Sequence, residues 1–125
     1  MLVDDFYTIR SYEAADSSLK AVLEFNPAHS IFKGHFPGVP VVPGVCMMQI
    51  VKEMFEKHSH QTVRLSKVAL MKFLRLINPL QSPTVRIELL YSSIDAESYH
   101  VTASLLDDDA VYFKFKGVAT TAVSR

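Results

Sequence analysis

Apolar and polar positions keep a period of two over Leu19 to Phe25. Leu19, Ala21, Leu23 and Phe25 fall on one side, with Lys20, Val22 and Glu24 on the other. That period predicts a strand with one buried face, and Asn26-Pro27 ends it. Before it, Phe6 to Tyr12 reads as a strand and Ala14 to Ser18 as a turn. After it, Ser30 to Lys33 suits a single helical turn. From about Pro43 to Lys57 the pattern becomes helical. The first two turns hold Val45, Cys46, Met47, Met48, Ile50 and Val51 and are apolar nearly all round; the last two carry Lys52, Glu53, Glu56 and Lys57. A helix apolar on all sides is wrapped by other elements. Its first half is therefore expected to be buried, and Glu53, in the polar half, to meet solvent.

Beyond His58-Ser59-His60 the period returns to two. Val63 to Ile77 is long and apolar, and Asn78-Pro79 and Ser82-Pro83 break the chain after it. Val85, Ile87, Leu89 and Tyr91 form one alternating set, Tyr99, Val101, Ala103 and Leu105 a second, and Val111, Phe113 and Phe115 a third. The turns are Asp95-Ala96-Glu97 and Asp107-Asp108-Asp109. Long alternating strands joined by tight turns predict an antiparallel sheet with one covered face. One helix and one such sheet give an α+β domain, the sheet wrapped around the helix, with residues 1–125 forming a single domain.

Against this regular pattern one stretch stands out. Three of the four glycines and three of the six prolines fall between Gly34 and Gly44. Such a cluster fixes a backbone path that few other residues tolerate. His35 is the only titratable side chain inside it. Pro43-Gly44 opens the helix, where proline costs no hydrogen bond and free amides point outward. A histidine is thus held on a stiff loop just ahead of a helix N-terminus. Gln49 is the one polar side chain in the apolar half of that helix. A buried amide needs partners or costs about 1–3 kcal/mol, so Gln49 either satisfies a structural bond or faces a site.

Composition narrows the function. The chain is 49% hydrophobic and 21% charged, with zero net charge. No large basic field exists, which argues against nucleic-acid binding. The single cysteine forms no internal disulfide and suits a reducing compartment. The acidic start, Met1 to Asp5, is wrong for a secretion signal, and no apolar run is long enough to span a membrane. A soluble cytoplasmic domain is the expectation.

The residues Gly34-His35-Phe36-Pro37-Gly38, then Pro40, then Pro43-Gly44-Val45, resemble the signature of 3-hydroxyacyl-[acyl-carrier-protein] dehydratases of the FabA/FabZ type. Val68 to Phe73, running on to Pro79, is similar to the long strand after the helix in that family. The resemblance implies a hot-dog fold: a curved antiparallel sheet around one long central helix. It implies two sites at a subunit interface, in a homodimer or a heterodimer with a paralogue. It also implies an acyl thioester carried on acyl carrier protein as substrate, and no metal or organic cofactor beyond the substrate's phosphopantetheine arm. By the same resemblance His35 is the catalytic histidine, the backbone N–H of Gly44 the oxyanion donor, and Phe36, Pro37, Gly38, Val45 and Met48 shape the substrate pocket. The family's helix carboxylate falls on Gln49, whose amide does not exchange a proton at ordinary pH.

Dehydration needs a base at C2, stabilisation of the thioester oxygen and a proton for the departing C3 hydroxyl. His35 suits the first, because imidazole titrates near neutrality. The Gly44 amide, at the positive end of the helix dipole, suits the second. Three owners of the third remain open: His35 itself once protonated, Glu53 through a water, or a carboxylate from a partner subunit. There are also two rival functions. A thioesterase would need a nucleophile, for which Cys46 beside His35 is the candidate; the alternative role for Cys46 is a small buried filler. A non-catalytic, partner-dependent subunit would fit the missing acid. His58 and His60 read as a solvated helix end rather than a metal pair. Met47, Met48, Met54 and Phe55 suit core or acyl-tunnel wall. Lys33, Arg64, Lys67, Lys72 and Arg75 are candidates for a patch that meets an acidic carrier, or else solvated positions.

Overall fold

The computed structural model describes residues 1–34 and 40–121. The expectations placed on His35, Phe36, Pro37 and Gly38 lie outside the described residues. Six strands and one long helix are arranged in the order β1 (Tyr7–Ala14), β2 (Ser18–Phe25), a 3-10 turn (Ser30–Gly34), α1 (Gly44–Ser59), β3 (Val63–Phe73), β4 (Thr84–Ser93), β5 (Ser98–Leu106) and β6 (Val111–Thr121). They form one sheet in the order β1-β2-β4-β5-β6-β3, every neighbouring pair antiparallel. This is the hot-dog arrangement: α1 lies in the curve of the sheet.

The alternating residues build the core as their period requires. Leu19, Leu23, Ile87, Leu89, Leu105, Phe113 and Phe115 are fully buried on one face, in the same cluster as Ile50, Val51, Met54 and Phe55 of α1. Burying each such side chain contributes about 1.5–3 kcal/mol. Short turns set the register of β4, β5 and β6. Ile94 N–H donates to the Ser98 carbonyl at 2.9 Å. Asp107 Oδ1 accepts from the amides of Asp109 and Ala110 at 2.9 and 3.0 Å. β3 is an edge strand with two irregularities against β6, between Leu65 and Lys67 and between Val68 and Leu70. Gly117, paired with Val68, makes them possible. A Cβ there would collide with the Lys67 carbonyl oxygen and sit 2.7 Å from the Phe115 ring.

Four expectations are corrected. The strand after the helix stops at Phe73 rather than continuing to Ile77; Leu74 N–H then turns to the Tyr112 carbonyl at 2.8 Å. The helix runs on to Ser59, where His60 takes a left-handed conformation (φ 57°) and its N–H closes on Glu56. The apolar half of α1 is not covered all round: Cys46, Met47, Ile50 and Val51 are buried, but Val45 is 76% exposed and Met48 is half-buried. One sheet reaches only one side of the helix. Finally, Glu53 does not meet solvent; it is 3% exposed. Among the described residues no helix is long and apolar enough to cross a membrane.

Candidate active site

The start of α1 is built by the chain just before it. Val41 and Val42 are buried, and Val42 N–H donates to the Ile77 carbonyl at 2.9 Å, tying this segment to the stretch beyond β3. Pro43 takes the N-cap position in extended conformation and offers no side-chain cap. Its carbonyl accepts from Cys46 and Met47. The amides of Gly44 and Val45 have no acceptor among the described residues. They form the positive end of a 16-residue helix.

A largely apolar groove of about 660 Å³ opens at that end. Val42, Pro43, Gly44 and Met47 form one wall, and the segment from Phe73 to Leu76 the other. The Phe73 ring lies against the Gly44 backbone; a Cβ on Gly44 would meet it at 2.8 Å. Glycine is what allows this close approach. Among the described residues, Arg75 is the only charged one lining the groove. Of the expected site residues, Gly44 and Val45 line it. Met48 and Gln49 do not; Met48 packs at the edge of the core, and Gln49 turns to Glu53. Phe73 was legible only as part of an apolar run, since nothing local reveals that it returns to the helix start.

Gln49 and Glu53 stand one helical turn apart, which places them side by side. Gln49 Nε2 donates to Glu53 Oε2 at 2.8 Å. The same carboxylate accepts from Leu2 N–H at 2.8 Å, Val3 N–H at 2.9 Å and the Tyr7 hydroxyl at 3.1 Å. Four donors converge on one buried acceptor, which is how a carboxylate is held in an interior. Burial, then the charge of Glu53 and the hydrogen bond to it, pushes the Tyr7 phenol far above its ordinary range. The i, i+4 spacing was readable in the sequence. The donors were not, since they come from about fifty residues away.

Cys46 is buried, and burial, together with the nearby Glu53 charge, pushes its thiol up. A helix N-terminus ordinarily lowers a thiol pKa, but here the opposite influences win, and a thiolate nucleophile is disfavoured. His58 is half-buried rather than solvated: its Nδ1 meets the Tyr12 hydroxyl at 3.2 Å and its ring packs edge-on to Tyr91. His60 is exposed. Arg64, Lys67, Lys72 and Arg75 are exposed on or just beyond β3, and Lys33 on the 3-10 turn.

Comparison with known proteins points the same way. The model of the ApeI-like family, described as ApeI dehydratase, matches residues 11–115. No curated protein matches the chain. Among solved structures, the dehydratase heterocomplex ApeI:P from Xenorhabdus doucetiae is 19% identical, with 90% of this chain and 96% of that one covered and a TM-score of 0.70. An uncharacterised protein from Erwinia carotovora subsp. atroseptica is 22% identical over 92% of each chain, with a TM-score of 0.60. A phenylacetic acid degradation-related thioesterase candidate from Ralstonia eutropha is 13% identical over 89% of this chain and 83% of that one, with a TM-score of 0.61. At these identities the likeness to solved structures is one of fold.

Proposed function

The chain belongs to the ApeI-like dehydratase family, and on that premise we propose that it converts 3-hydroxyacyl thioesters, carried on acyl carrier protein, to trans-2-enoyl thioesters in a lipid or related biosynthetic route in the cytoplasm. The observation that carries this reading is the family match across residues 11–115. The groove at the start of α1 supports it, because an apolar slot beside the helix-start amides of Gly44 and Val45 suits an acyl chain ending in a polarisable carbonyl.

In the proposed reaction His35 takes a proton from C2 of the substrate. Negative charge builds on the thioester oxygen, and the Gly44 amide stabilises it; one such donor is commonly worth about 2.7–4 kcal/mol. The electron pair of the broken C2–H bond forms the C2=C3 double bond. The C3–O bond breaks with its own pair, and the proton held by His35 passes to that oxygen, releasing water. Base and acid are then one residue, and the balance closes without a second acid. Gln49 holds the hydroxyl and does not protonate it. Phe36, Pro37, Gly38 and Val45 shape the pocket around the thioester, with Met48 beside them.

The site works between two hot-dog subunits in this reading, either two copies of this chain or this chain with a paralogue. The exposed Val45 beside the groove and the apolar edge of β3 support an assembled form. The thioesterase reading is disfavoured by the raised Cys46 thiol. The purified chain should form enoyl product from a 3-hydroxyacyl carrier-protein substrate, monitored by mass spectrometry, and His35→Ala should abolish it. Release of free thiol without enoyl product would establish the thioesterase instead. Silence of the wild type alone, with activity restored by a co-purifying paralogue, would make this chain a partner-dependent subunit.

A further inference from the structure

We infer that Glu53 is the positioning residue for Gln49: it fixes which end of the amide faces the substrate, and so makes Gln49 a hydrogen-bond acceptor for the 3-hydroxyl. The inference rests on the dehydratase reading proposed above for what Gln49 touches, but not for how Gln49 is held.

A glutamine amide is nearly symmetrical in shape, and a free one offers either its N–H₂ or its oxygen. Glu53 removes that choice. Its Oε2 lies 2.8 Å from Gln49 Nε2. Turning the amide over would set Gln49 Oε1 against an acceptor-only carboxylate, oxygen against oxygen. Glu53 is not free to swing aside. Leu2 and Val3 amides and the Tyr7 hydroxyl hold both its oxygens, Tyr7 is fully buried, and Glu53 itself is 3% exposed. The clasp therefore runs from the N-terminal segment through Glu53 to Gln49. One amide hydrogen is committed, and Oε1 is the end of the amide turned away from the clasp. Gln49 remains half-buried, so that end is not sealed into the core.

The consequence is chemical. A hydroxyl that donates its hydrogen to Gln49 Oε1 keeps its oxygen lone pairs open. Those lone pairs must receive the proton when the C3–O bond breaks. An amide presented the other way would donate to that oxygen and compete for the same lone pair. The clasp thus orients the leaving group for proton delivery by His35, and Glu53 acts without touching the substrate.

Two measurements test this, one with substrate and one without. In ¹H–¹⁵N spectra of the folded protein, the Gln49 side-chain amide signals, assigned by their loss in Gln49→Ala, should move strongly in Glu53→Gln and stay in place in Tyr12→Phe, whose hydroxyl meets His58 rather than the clasp. In kinetics with a 3-hydroxyacyl thioester, Glu53→Gln should lower kcat about tenfold with KM within about twofold, the pattern of lost orientation. Gln49→Ala/Glu53→Gln should be no slower than Gln49→Ala, because one residue acts through the other. Where Glu53→Gln fails to fold, Glu53→Asp keeps the charge in the clasp but draws it back from Gln49, and carries the same comparisons. Unmoved amide signals overturn the inference whatever the activity. Rate losses that multiply in the double variant, and track the losses in Tm, also overturn it and leave Glu53 purely structural. A wild type without dehydratase activity overturns the proposed function, while the spectra still decide how Gln49 is held.

Discussion

Gln49 and Glu53 adjoin on the helix, and their closeness limits what one substitution achieves. Gln49→Glu alone would set a second carboxylate within hydrogen-bond distance of Glu53. Two carboxyl groups so close do not both ionise readily; the pair keeps a proton and titrates jointly, well above the ordinary carboxylate range. The kcat profile of Gln49→Glu should therefore gain a falling limb on the alkaline side as that proton leaves. Gln49→Glu/Glu53→Gln, in which the new carboxylate accepts from an amide, should lack that limb; identical profiles for the two variants would refute the pairing. At the groove, Gly44→Ala places a Cβ 2.8 Å from the Phe73 ring. The ring is half-exposed and free to give, so the loss in stability should stay near 1 kcal/mol or less. The groove wall shifts, however, and KM for acyl substrate should rise several-fold, with Phe73→Ala restoring part of it. At this scale Gln49 was legible as the lone polar residue in an apolar stretch. Glu53 was misplaced, because charge on a helix face reports nothing about a segment that folds over it from far away.

Elements are held by small polar devices at their ends. Asp107 caps the turn between β5 and β6, accepting from the Tyr112 hydroxyl and from two backbone amides. The bond from Tyr112 holds its carboxyl below the ordinary value of 3.8, against a smaller opposing effect of burial. A depressed pKa means that stability is gained above the unfolded value and lost as pH falls through the folded one. Asp107→Ala should thus lower stability at neutral pH, with the gap to wild type narrowing in melts recorded at successively lower pH beneath the ordinary value of 3.8. An equal gap at every pH would show the carboxylate charge to be idle. Gly117→Ala is expected to be worse than Gly44→Ala, by about 2 kcal/mol or more in denaturant titration, since its obstacle includes a backbone carbonyl rather than a movable ring. The strands themselves were plain in the alternation from Leu19 onward. The stop at Phe73 was not, because apolar residues continue to Ile77 and only the turn of Leu74 towards Tyr112 ends the pairing.

At the scale of the whole molecule, β3 lies at the edge of the sheet, and among the described residues no strand pairs with its outer side. Val68, Met71, Phe73, Leu74 and Leu76 are exposed along and just past it, and Val45 is exposed at the helix start. An apolar, unprotected edge is a pairing surface. Light scattering should give the mass of a two-subunit assembly, either for the chain alone or with a second hot-dog chain. Val68→Lys should reduce it to a monomer and lower activity in proportion. A wild type that stays monomeric with every partner tested, yet is fully active, would remove the interface from the function.

The sequence alone determined the period of each element, the clustering of glycine and proline around His35 and the unusual amide at Gln49, because these are properties of neighbouring residues. Tertiary structure alone decided that β3 crosses to the edge beside β6, that Phe73 comes back to Gly44, and that Glu53 is covered. Periodicity states which face of an element is apolar. It does not state which distant segment lies against that face, and here that choice converts a helix-surface glutamate into the buried anchor of Gln49.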